Sequence, residues 1–203
     1  MISAGGARLG RQAADRLVHL DCCVIEDGLT DAEFARIEHE YGFEFADDHR
    51  AFLAAGLPVN QPRVEEPNTT YTWERPWPDC RNGDPAELRY QVEWPIDFLL
   101  EDVGRGHWDF AWGERPDSGE AAVELARSQL AGVPRMVPVY AHRFLPAGHG
   151  TFGHPVLSMW GRDIIYYLAD LLEYITRQFE VPRPELPEDW APQATVPFWR
   201  DYL

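Results

Sequence analysis

The chain contains no lysine: its 18 basic residues are all arginine, set against 34 Asp and Glu. Without a lysine there is no Schiff-base amine, no P-loop or kinase-type ATP lysine and no Ser–Lys dyad, so several catalytic classes are excluded at once. Positive charge is also scarce. A net charge of −16 leaves no clustered basic surface to neutralise phosphates. That argues against direct nucleic-acid binding and against anionic membranes, and it favours a basic protein partner. Cysteine is sparse as well. Cys22, Cys23 and Cys80 make neither a disulfide framework nor a zinc spacing, which fits a cytoplasmic protein with Cys22 and Cys23 as buried small hydrophobes. Long apolar runs are missing too. The longest uncharged stretch, 144–161, is broken by four Gly and two Pro, so no membrane span is expected. Residues 1–20 carry Arg8, Arg11, Asp15 and Arg16 without an apolar core, so no signal peptide is expected.

What is present is apolar and aromatic. A hydrophobic share of 45% with eight Trp is too high for a disordered chain, and 203 residues suit one domain spanning 1–203. Leu9, Ala13, Leu17 and Leu20 predict an amphipathic helix over 8–20. Thr30 and Glu33 form a capping box, with Leu29 and Phe34 at the staple positions. Phe34, Ile37 and Tyr41 then give a buried stripe that Gly42 can stop in left-handed backbone. A third helix is expected from an Asp47 cap to Ala55, with Gly56 just beyond it. Residues 57–85 form a Pro-rich acidic segment, with one short strand at 71–73. Helices are predicted at 84–93, again from Pro95 onward, and from an Asp117 cap to Leu130.

The pattern then changes to short apolar or alternating runs at 136–140, 142–145, 156–160 and 163–167, with Gly161 and Arg162 as a tight hairpin turn. Helical spacing returns from Leu168 to Phe179, and an irregular tail follows at 182–203. Helices, then an antiparallel meander sheet, then a helix is an α+β order.

Trp108 with Trp112 to Pro116, Pro138 to Pro146 with its His142-Arg143 pair, Pro155 to Ser158, Asp163 to Tyr167 and residues 170–175, in this order, resemble the SMI1/KNR4 family, also called the SUKH superfamily. Trp108 and the run Trp112-Gly113-Glu114-Arg115-Pro116 resemble its Trp-rich segment. The run from Pro138 through His142-Arg143 to Pro146 resembles its strand pair. Pro155 to Ser158 followed by Asp163 to Tyr167, Tyr166 included, resembles its last hairpin, and 170–175 its closing helix. The family's usual Leu-Pro before the second N-terminal helix is replaced by Phe45-Ala46. The resemblance implies an α+β domain with an antiparallel sheet flanked by helices. It also implies a non-enzymatic binding protein, since bacterial members are regarded as immunity proteins that neutralise nuclease- or deaminase-type polymorphic toxins. The alternative it carries is a regulatory or scaffold module with a cellular protein partner.

His142, His149 and His154 near Asp163 have metal-ligand identities, but their spacing fits no metal motif, so no metal or other cofactor is expected. Ser158, His154 and Asp163 have triad identities without a nucleophile elbow, so no catalytic residue is assigned. His142 and Arg143 read instead as a polar pair ordering the strand ends, with Arg143 forked on a carboxylate. The partner-binding candidates are Asp47, Asp48, Glu65, Glu66, Trp73, Glu74 and Trp77, acids and aromatics in the more acidic N-terminal half. Trp108, Trp112 and Trp160 are expected to pack over the sheet.

Overall fold

The first helix starts where a side chain can satisfy its free amides. In a computed structural model describing residues 2–60, 76–180, 187–191 and 194–202, Ser3 caps α1 (Ala4–Leu20) by accepting the Gly6 amide. The helix therefore begins before residue 8. It buries Gly6, Ala7, Gly10, Ala13, Ala14 and Leu17, while Leu9 and Leu20 stay half-buried. Small residues set that face because α3 lies close. A methyl on Gly10 would meet the Asp48 carbonyl and the Ala51 side chain, and one on Gly6 would meet Asp47.

The helix α2 (Asp31–Tyr41) realises the capping box: the Glu33 amide donates to Thr30 Oγ1, and the Thr30 amide donates to Glu33 at 2.7 Å. Phe34, Ile37 and Tyr41 are buried, and Gly42 closes the helix at φ 68°. The helix α3 (Asp47–Ala55) departs from expectation. Its cap position is Ala46, which makes no side-chain bond, because the Asp47 carboxylate is used elsewhere. Gly56 is in extended backbone rather than the left-handed region, and it feeds the strand β2 (Leu57–Val59). This pairs antiparallel with β1 (Val24–Glu26), a ribbon the sequence does not announce. The strand expected at 71–73 lies outside the described residues.

The helix α4 (Pro85–Gly104) is continuous across Pro95, where two helices were expected. An interior proline costs about 3 kcal/mol in a free helix. Here Leu88, Gln91, Val92, Pro95, Leu99, Leu100 and Val103 are all buried, and that packing outweighs the lost hydrogen bond. The helix α5 (Gly119–Leu130) is capped by Ser118, not Asp117.

The strands β3 (Met136–Tyr140), β4 (Arg143–Pro146), β5 (Val156–Trp160) and β6 (Asp163–Leu168) form an antiparallel sheet in sequential order. Gly161, at φ 66°, makes the turn that pairs Trp160 with Asp163. Asp170 caps the helix α6 (Leu171–Phe179). The result is an α+β fold.

The sheet is apolar on both faces. Val137, Leu145 and Val156 join a core with α1, α2, α3 and α6, whereas Met136, Phe144 and Leu157 join a second core with α4, α5 and the C-terminal Trp199. Strand alternation thus divides one sheet between two cores. Trp199 is fully buried, and its indole N–H donates to the Pro134 carbonyl at 2.8 Å, so the described end of the tail is packed. Cys22 is exposed and Cys23 half-buried, contrary to the expectation for that pair; only Cys80 is buried. No described helix is long and apolar enough to cross a membrane.

Candidate functional site

Three of the expected partner-binding residues point inward. Asp47 and Asp48 are 0% and 1% exposed and bind the glycine-rich loop after β4. The Asp47 carboxylate accepts the amides of Ser3 at 2.7 Å and Gly150 at 2.9 Å; the Asp48 carboxylate accepts the Gly153 amide at 2.8 Å. Burial works to raise the Asp47 carboxyl, but the Ser3 and Gly150 bonds outweigh it and hold it below the usual range. At Asp48 burial prevails and pushes the carboxyl up. Trp77 is buried against Phe179 and Tyr140, and its backbone N–H and C=O are both held by the Asn60 amide. These three positions are structural, because their polar atoms are already occupied inside the fold. Glu65, Glu66, Trp73 and Glu74 lie outside the described residues.

The family-motif positions mostly organise the sheet. Pro138 is buried in the edge strand β3, where a missing amide is tolerated. The His142 carbonyl accepts the Met159 amide, and the imidazole is pulled down to about 4 by burial and then by the neighbouring Arg143. Arg143 donates to Ser158 Oγ at 2.9 Å and lies 3.8 Å over the Tyr167 ring. The expected carboxylate fork is absent: Arg143 forms no ion pair among the described residues, because its cross-strand partner is a serine. Pro155 is buried at the entry to β5, Asp163 is exposed at the hairpin, and Tyr166 packs on the second core. Among the described residues no three His, Cys, Asp or Glu side chains are grouped to hold a metal ion.

A different place gathers binding chemistry. A groove of about 610 Å³ opens between the end of α4, a 3-10 turn at Phe110–Trp112, the β5–β6 hairpin and the C-terminal 3-10 turn Trp199–Tyr202. Leu99 and Val103 form its floor. The chain leaves α4 by a turn at Gly106, φ 104°, and the His107 amide donates back to the Asp102 carbonyl. Asp109 then caps the 3-10 turn through the Ala111 amide at 2.9 Å. Gly113, at φ 88° and ψ −155°, brings its carbonyl round to accept the Trp108 indole N–H at 2.8 Å. Trp108 and Trp112 are fixed edge to face at 5.4 Å. The apex residue Phe110 is left 92% exposed.

The opposite wall carries Arg162, Asp201 and Tyr202. Arg162 Nε stands 3.8 Å from Asp102, whose other oxygen is 3.4 Å from Arg105. Burial, with Asp109 and Asp201 nearby, pushes the Tyr202 phenol up to about 12. The groove is therefore a rigid aromatic channel with carboxylates on two walls. Its lining, with His107 and Arg162 beside the rings and carboxylates, offers the contacts that recognition of a side chain uses.

In the sequence Trp108, Trp112 and Gly113 read as structural positions, Arg162 as a hairpin residue and Tyr202 as part of the irregular tail, and nothing singled out Phe110. A signal existed. Trp108, Phe110 and Trp112 place three aromatic residues within five positions, the composition of an interface anchor. Trp160, expected over the sheet, is 45% exposed at the strand end. Compared with family models, curated proteins and solved structures, the chain matches none.

Proposed function

We propose that this chain is a non-enzymatic binding protein of the SMI1/KNR4 type, acting in the cytoplasm as an immunity protein that occludes a basic toxin domain. The observation that carries the reading is the groove, with Phe110 presented to solvent on a turn made rigid by two tryptophans. An exposed aromatic on a flexible loop would be an aggregation risk, whereas one on a fixed turn is a preorganised anchor. Supporting it are the α+β order with the His142-Arg143 strand pair, and an acid excess complementary to the phosphate-gripping surface of a nuclease. The mechanism is stoichiometric coverage without turnover.

Co-expression tests it. The wild-type chain should rescue cells from the toxin encoded beside its gene and co-purify with it one to one. Phe110→Ala should fold with unchanged stability, since the side chain is exposed, and should weaken binding by at least tenfold. Failure of the wild type to rescue would remove the toxin assignment.

A further inference from the structure

We infer that the groove seats an arginine side chain presented by the protein partner; the inference rests on the binding reading above. Its walls carry four aromatic rings, those of Trp108, Phe110, Trp112 and Tyr202, together with the carboxylates of Asp102, Asp109 and Asp201. Aromatic faces next to carboxylates are the environment a guanidinium needs, stacking on one and donating to the other.

The cation already present leaves room for another. Arg162 lies on the wall beside Asp102, and Arg105 is shared between Asp102 and Glu101. These two guanidiniums answer Asp102 and leave Asp109, whose contact is the Ala111 amide of its own turn, facing the channel. Among the described residues Asp201 has its ion pair with its neighbour Arg200 at 3.6 Å, with both side chains mostly exposed, and such a pair holds neither firmly. An anion is disfavoured here, because three lining carboxylates and a chain of net charge −16 would oppose it.

The chain uses the same pairing internally. Arg143 lies 3.8 Å over Tyr167, Arg50 4.1 Å over Phe34 and Arg89 5.2 Å over Tyr41. Arginine is favoured over lysine because its flat guanidinium can stack on an indole while its edge donates to a carboxylate; a hydrated ammonium does only the second.

The test uses the full chain with labelled indole nitrogens, titrated with acetyl-Gly-Arg-Gly-amide and with its citrulline and lysine counterparts. The arginine peptide should shift the Trp108 and Trp112 indole signals saturably in the millimolar range. Citrulline, which keeps the shape but loses the charge, should bind at least threefold more weakly, and so should lysine. Phe110→Ala and Asp201→Asn, both at exposed positions, should each weaken arginine binding at least threefold, while Trp160→Phe leaves it unchanged. No saturable shift at Trp108 and Trp112, or equal binding of the three peptides, overturns the inference. Toxin rescue by a chain that shows no arginine shift would also overturn it while leaving the immunity reading standing. An arginine shift without rescue supports the inference and counts against the toxin.

Discussion

His49 shows what a single buried group does to the behaviour of the fold. It is 1% exposed on α3, edge to face with Phe45 at 5.2 Å, and its Nδ1 has no hydrogen-bond partner among the described residues. Burial pulls its pKa from 6.5 down to about 3, so the folded state holds it neutral. The unfolded chain protonates it below pH 6.5 and the folded chain does not. Its stabilising effect is therefore complete above that pH and is lost as pH falls toward 3. Between pH 7 and pH 5 the loss is about 2 kcal/mol. Asp48 beside it works in the opposite sense, since burial raises its carboxyl and the folded state then holds the proton more tightly. His49→Leu should remove the histidine share alone. Urea titrations at the two pH values should show wild type losing about 2 kcal/mol more than the variant. Equal losses would mean that His49 meets water in the folded state.

Among the elements, the contact between α1 and α3 is governed by glycine. Gly10→Ala would drive a methyl into the Asp48 carbonyl, which is backbone and cannot turn aside. The gain in helix propensity is about 1 kcal/mol, and overpacking a fixed neighbour costs typically 1–3 kcal/mol. Thermal melts should therefore show a net destabilisation of up to roughly 2 kcal/mol, whereas the same change at Gly119, where nothing lies within 4 Å, should not destabilise the chain. Elements whose ends are decided locally were legible in the sequence. The Thr30 capping box, the Gly42 stop and the Gly161 hairpin each depend on residues a few positions apart. Elements decided by distant contacts were not. Asp47 looked like a cap, yet its carboxylate serves Gly150, and Pro95 looked like a break, yet both sides of it are buried. The candidate groove was the least legible part, because its walls come from four separate stretches of chain.

For the whole molecule, the acid excess acts at range. Steered encounter with a basic partner proceeds at up to roughly 10⁸ M⁻¹s⁻¹ at low salt and falls toward about 10⁶ M⁻¹s⁻¹ once charges are screened. Stopped-flow association with the toxin domain should show that fall between dilute buffer and molar salt, with the dissociation rate changing far less. A salt-independent association rate would mean that the charge serves solubility alone. Steering and seating are separable in this design. On the proposed reading, the diffuse charge would bring the partner in and the aromatic groove would hold it.

The two adjacent aspartates at the start of α3 also bear on the order in which the chain comes together. Their bonds to Gly150 and Gly153 span 103 and 105 residues, whereas the contacts within the N-terminal helices and within the meander are short-range. Closing so long a loop is entropically unfavourable until both ends are already structured. The clasp is thus expected to form late, once α3 and the strands flanking the loop are in place, and a low φ-value for Asp48→Asn in folding kinetics would show it. A truncated or stalled chain ending before residue 150 would keep the Ser3 amide on Asp47 and the His49 amide on Asp48 but lack the Gly150 and Gly153 donors, leaving both carboxylates under-satisfied where the fold would bury them.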